Sequence, residues 1–156
     1  MKVRDIMKRE PCVCSPGDDL AAVGRRMAEG NCGFLPVIGD DGRVVGVITD
    51  RDVCLALTGR DHKPSELQVR LVMSGEVYGC REDDDIRRAL RTMRERRVRR
   101  LPVLDAAGRL RAILSLDDVV LEAQAVETEA FKGPFYSDIT QTLKEINLHR
   151  APAAVA

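Results

Sequence analysis

The sequence has no tryptophan and only five other aromatic residues, three Phe and two Tyr, in 156. No apolar run approaches the ~18 residues that would cross a bilayer, so no membrane span is expected. Net charge is also missing: 25 Lys and Arg balance 25 Asp and Glu, which removes any global attraction to a polyanion. The first residues lack the apolar stretch of a secretory signal, so the expected location is cytoplasmic. Histidine occurs twice, as His62 and His149. The five cysteines, Cys12, Cys14, Cys32, Cys54 and Cys80, are odd in number and scattered, as free thiols in a reducing compartment would be. The Cys12-Val13-Cys14 pair is too tight for zinc spacing and no second Cys/His pair follows, so no metal is expected. Neither a nucleophile elbow nor a triad is visible. No catalytic residue, enzymatic activity or resident cofactor is therefore expected.

What the sequence has is a duplication. Met7 matches Met73, Leu35-Pro36-Val37 matches Leu101-Pro102-Val103, Gly42-Arg43 matches Gly108-Arg109, and Asp52-Val53 matches Asp118-Val119, all at one offset of 66 positions. Asp18-Asp19 and Asp84-Asp85 share that register, as do Met27 and Met93. A constant offset without insertions is the mark of a repeat.

Each copy reads as β-α-β-β-α. A short extended piece comes first, Pro11 to Ser15 or Val77 to Arg81. A helix start follows: Ser15-Pro16-Gly17-Asp18 offers a cap, a proline and an acid. Leu20, Val23 and Met27 make its apolar face, and copy two supplies Ile86, Leu90 and Met93. Two strands joined by a Gly-containing turn come next, Leu35 to Ile38 with Val44 to Ile48, and Leu101 to Leu104 with Leu110 to Leu114. A second helix starts at Thr49 or Ser115. The fold class is therefore α/β (α+β). Units this small bury little surface alone, so the two are expected to pack sheet to sheet. The expected limits are 1–60 and 69–125 for the repeats, 61–68 for the linker, and 126–156 for a C-terminal extension. In that extension Ser137-Asp138 caps a helix bearing Ile139, Leu143 and Ile146, and Ala151 to Ala156 form a frayed tail.

The segment Gly46-Val47-Ile48-Thr49-Asp50-Arg51-Asp52 carries the most chemistry. A buried strand ends and a helix begins, so unpaired N–H groups face outward where a phosphate could sit. Thr49 can donate to a phosphate, Asp52 can accept from both hydroxyls of a ribose, and Gly46 allows a ligand close to the backbone. The same pattern is also an ordinary capping box. Its recurrence as Ser115-Leu116-Asp117-Asp118, at the same point of the second copy, favours a site.

With these strands and junctions the chain resembles a pair of CBS domains, a Bateman module, named for cystathionine β-synthase. The resemblance runs from about Val3 to Ala125 and reads as a stand-alone, bacterial-type pair. It implies pseudo-two-fold symmetry, an adenosine-containing ligand (AMP, ADP, ATP or S-adenosylmethionine) in a cleft between repeats, homodimerisation, and regulation of a partner protein. It assigns Thr49, Arg51 and Asp52 to phosphate and ribose, with adenine against Val13, Cys14, Ser15, Phe34, Leu35 and Pro36, beside Gly46. In the second site Ser115 and Asp118 take the polar roles, with Cys80, Leu101 and Pro102 near the base. There Ala112 replaces Gly46, and Arg99-Arg100 replace Gly33-Phe34, so the first site is expected to be the better one.

Eight arginines lie between Arg87 and Arg100. They read as a solvated helix face, as a phosphate contact through Arg99 or Arg100, or as a nucleic-acid footprint. No aromatic residue interleaves them, which argues against base stacking. A thiol or metal sensor built on the cysteines is the remaining alternative.

Overall fold

A computed structural model describes residues 1–58, 62–123 and 133–148. The expected tail at Ala151–Ala156, His149, the first residue of the expected linker and the end of repeat two lie outside these. In chain order the elements are a 3-10 turn Val3–Asp5, β1 Lys8–Arg9, α1 Leu20–Glu29, β2 Phe34–Ile38, β3 Val44–Thr49, α2 Asp50–Thr58, 3-10 turns Pro64–Glu66 and Val69–Leu71, α3 Ile86–Arg96, β4 Arg100–Leu104, β5 Leu110–Ser115, α4 Leu116–Leu121 and α5 Tyr136–Asn147. The architecture is mixed α/β, with small sheets.

The chain divides into two compact units, and each takes its opening segment from the other repeat. The copy-one unit comprises Glu10–Val77 and Asp105–Leu110. Its sheet is the antiparallel pair β2–β3, with Phe34 opposite Thr49 and Val37 opposite Gly46. The connecting turn closes at Gly42, whose φ of +77° suits a residue without Cβ. Leu20, Val23 and Met27 of α1 pack on Leu35, Val37 and Ile48, and Leu67 and Val69 complete that core. Val69 N–H donates to Asp18 O and Leu20 N–H to Leu67 O, both at 2.9 Å, so residues 67–69 are stitched alongside the entry to α1.

The copy-two unit comprises Met1–Arg9, Tyr78–Leu104 and Arg111–Ala156. Its sheet order is β1-β5-β4. The antiparallel β1 sets Lys8 opposite Ile113 and Arg9 opposite Ala112. Val3 and Met7 enter a core built on Ile86, Leu90, Met93, Leu101, Val103, Leu114 and Val119. The helix of the C-terminal extension closes that core with Ile139 and Ile146, so its apolar face is spent on the repeat body.

Three local expectations change. The extended pieces before each first helix shrink to single parallel bridges, Cys14 with Val37 and Cys80 with Val103. Ser15 does not cap α1. Its N–H instead donates to Asp18 Oδ2 at 2.9 Å across the Pro16-Gly17 turn, and Asp19 caps the helix through Ala22 N–H at 2.8 Å. In α5 the cap position is Phe135, whose N–H donates to Asp138 Oδ2 at 3.0 Å.

Candidate functional site

In the copy-one unit β3 runs directly into α2, and the junction is a complete capping box. Thr49 N–H and Oγ1–H donate to Asp52 Oδ2 at 2.9 and 2.7 Å, and Asp52 N–H donates to Thr49 Oγ1 at 3.2 Å. Thr49 thus spends its hydroxyl proton on Asp52 rather than holding it for a phosphate. The helix terminus is less open than expected as well. Asp50 N–H donates to Gly33 O at 3.3 Å and Arg51 N–H to Asp50 Oδ1 at 2.8 Å, so the first-turn donors already have acceptors. Two polar groups remain available. Oδ1 of Asp52 accepts from no described residue, on a carboxylate that is only partly buried. The Arg51 side chain is exposed.

The segments expected to line this junction lie in the same unit. Phe34 lies opposite Thr49 across the strand pair. Cys14 N–H donates to Pro36 O at 3.1 Å, which brings Val13–Ser15 alongside β2. The expected base wall divides by exposure. Leu35 is fully buried and Cys14 nearly so, both inside the core, where a ligand does not reach them. Val13 is 37% exposed and Ser15 is exposed, so these two of the expected wall residues face solvent. Gly46 serves the chain itself. A Cβ there would lie 2.7 Å from Ser74 O and 2.9 Å from Met73 Sδ, because residue 74 bridges to Val47. Its missing side chain makes room for that segment, not for a ligand. Arg26 was not foreseen: it pairs with Asp18 and donates to Val13 O at 3.3 Å, bracing the wall segment.

The copy-two junction repeats the box. Ser115 N–H and Oγ–H donate to Asp118 Oδ2 at 2.9 and 2.5 Å. Here the second oxygen is taken, since Lys8 Nζ lies 3.0 Å from Asp118 Oδ1. Asp118 is also buried, at 6% exposure. Burial pushes its carboxyl up, but hydrogen bonds from Ser115 and Lys8 outweigh it and hold the group below the usual carboxylate range. Leu101, fully buried, and Cys80, nearly so, belong to the core. Cys80 N–H donates to Pro102 O at 3.0 Å, which repeats the bond between Cys14 and Pro36. Arg99 is engaged by Asn147, its Nη2 donating to Oδ1 at 3.1 Å. Arg100 opens β4 and is half-buried.

The arginine run is mostly exposed, but several of its members make contacts within the fold. Arg87 stacks over Phe135 and donates to Gly133 O, Arg88 pairs with Asp84, and Arg96 lies over the Tyr78 ring. These contacts tie α3 to its neighbours and leave less of the run to meet a nucleic acid. Among the cysteines, burial pushes both Cys14 and Cys80 up to about 12, opposite to the shift that makes a reactive thiol. Among the described residues no group of three or more His, Cys, Asp and Glu is placed to hold a metal ion, and no helix is long and apolar enough to cross a membrane.

Fold and junctions together define a tandem-repeat α/β module with one Thr/Ser-x-x-Asp turn in each half. The CBS domain family matches residues 3–59 and 69–124, and the chain belongs to that family, with two CBS domains in tandem. It is 34% identical over 133 residues to an uncharacterized 17.7 kDa protein of Acidianus ambivalens, covering 85% of this chain and 79% of that one. Among solved structures it is similar to the CBS domain protein TA0289 of Thermoplasma acidophilum, with a TM-score of 0.76 and 24% identity, over 97% of this chain and 77% of that one. It is also similar to the CBS domain pair of protein MJ0100, solved in complex with 5'-methylthioadenosine and S-adenosyl-L-methionine, with a TM-score of 0.69 and 21% identity, over 78% and 94% of the two chains.

Proposed function

We propose that this CBS pair is a regulatory module that takes an adenosine-containing ligand at the copy-one junction and passes its occupancy to a partner protein. The observation that carries the reading is the Asp52 carboxylate. It is oriented through Oδ2 by Thr49 and, among the described residues, presents Oδ1 with no donor. A carboxylate oxygen fixed in this way suits the paired hydroxyls of a ribose, since charge-assisted hydrogen bonds are the strong ones. The exposed Arg51 guanidinium lies one residue away for a phosphate or carboxylate tail. The exposed Val13 and Ser15 would receive the base. The adenosine ligands held by the CBS pair of MJ0100 support the choice of ligand class. Homodimerisation belongs to the same proposal, and light scattering that finds a monomer at working concentration overturns that part.

Calorimetric titration with AMP, ADP, ATP, S-adenosylmethionine and NADH tests the reading. At least one adenosine ligand is expected to bind wild type, and Asp52→Ala is expected to lose that binding. If none binds, or if Asp52→Ala binds equally well, the assignment is wrong.

A further inference from the structure

The two junctions share one capping box and differ in what meets its outer oxygen. We propose that Lys8 closes the copy-two junction to a ribose, so that the chain takes one adenosine ligand and not two. The inference rests on the reading of Asp52 as the ribose acceptor.

Register explains why the lysine is there. Lys8 sits opposite Ile113 on β5, two residues before Ser115. Its counterpart 66 positions later is Ser74, which bridges to Val47, two residues before Thr49. Both backbones therefore pass their junction at the same place. Only copy two hangs a long cationic side chain there. The ammonium reaches Asp118 Oδ1 at 3.0 Å, while no hydrogen bond joins Ser74 to Asp52.

The chemistry follows from burial. Lys8 is 76% exposed and easily hydrated, but the carboxylate it meets is almost wholly buried. A ribose entering here would displace the lysine and find Asp118 withdrawn behind it. At Asp52 the same hydroxyls meet an oxygen with no competitor among the described residues. Breaking a contact to a buried charge is costly unless the newcomer replaces it in full. Two neutral hydroxyls replace a cation poorly. Lys8 thus acts as a specificity residue that sets ligand stoichiometry, and it lies outside both motifs.

Calorimetry on the full chain with AMP and with 5'-methylthioadenosine tests this, using wild type, Lys8→Ser and Lys8→Arg, each checked for an unchanged circular dichroism spectrum. Wild type is expected to bind one ligand per chain and Lys8→Ser two. The added event should vanish in Lys8→Ser/Asp118→Asn and the original one in Asp52→Ala. Lys8→Arg, which keeps a cation, should stay at one. One ligand on both wild type and Lys8→Ser overturns the role of Lys8 and leaves the Asp52 reading standing, whereas two on wild type overturns it outright. No ligand on wild type with one on Lys8→Ser upholds the closure and overturns the Asp52 site. No binding to either overturns both.

Discussion

Asp118 and Asp52 close the same kind of capping box, and among the described residues Asp118 alone also meets a lysine. The folded Asp118 carboxyl holds its proton less readily than an unfolded one, because Ser115 and Lys8 stabilise the anion against burial. The contribution to stability is present above the unfolded value of ~3.9 and is lost as pH falls through the lower folded value. Asp118→Ala is expected to cost about 2 kcal/mol at neutral pH, a typical loss for hydrogen bonds to a charged group. Denaturant melts of wild type and Asp118→Ala should converge as pH drops below ~4. A gap that stays constant with pH would show that the carboxylate charge plays no part. The buried thiols give a second test at this scale. Cys14 and Cys80, pushed up to about 12, should resist maleimide at pH 8 until the protein unfolds, while the exposed Cys12 and Cys54 label at once. Mapping the modified residues by mass spectrometry checks this.

At the scale of elements, glycine and alanine at one repeat position report how closely two segments approach. A methyl at Gly46 would press on the backbone carbonyl of Ser74, which cannot move aside as a flexible side chain would. Gly46→Ala is therefore expected to destabilise the copy-one unit by about 1–3 kcal/mol, the usual cost of overpacking, read as a lower urea midpoint with an unchanged slope. Copy two carries Ala112 at the matching position, fully buried, so the corresponding methyl is accommodated there. The arginines show the same dependence on context. A run that reads as a solvated face includes Arg87 and Arg99, which contact Gly133, Phe135, Asp138 and Asn147 at the two ends of α5.

At the scale of the whole molecule the repeats and the packed units are not the same residues. Val3–Asp5 opens repeat one but folds with copy two, and Val69–Leu71 opens repeat two but folds with copy one. A fragment of residues 1–60 would lack Leu67 and Val69, two residues of the copy-one core. A fragment of residues 10–77 keeps both. The longer fragment is expected to retain helical circular dichroism and dispersed amide resonances, and the shorter to lose them. Equal folding of the two would mean that residues 61–77 contribute nothing to that core. Ligand binding adds a test on the intact chain, since a ligand at 100 times its Kd stabilises by ~2.7 kcal/mol and should raise the melting temperature.

The duplication, the helices and hairpin of each repeat and the two Thr/Ser-x-x-Asp junctions were legible in the sequence, whereas strand β1 and the reduction of the opening pieces to single bridges were not. Each legible feature is written in local periodicity, in turn residues or in a constant offset, and none depends on distant neighbours. Leu35 and Cys14 looked like ligand walls because the motif places them beside the junction, and packing turned them inward. Gly46 looked like room for a ligand and proved to be room for Ser74. Lys8 was invisible as a functional residue because it lies 110 positions from Asp118 in the chain. Composition and spacing thus determined that there are two like junctions. That a lysine meets one of their carboxylates was decided by the tertiary structure, since the pairing of β1 with β5 carries Lys8 to Asp118 while the matching backbone at the other junction brings Ser74.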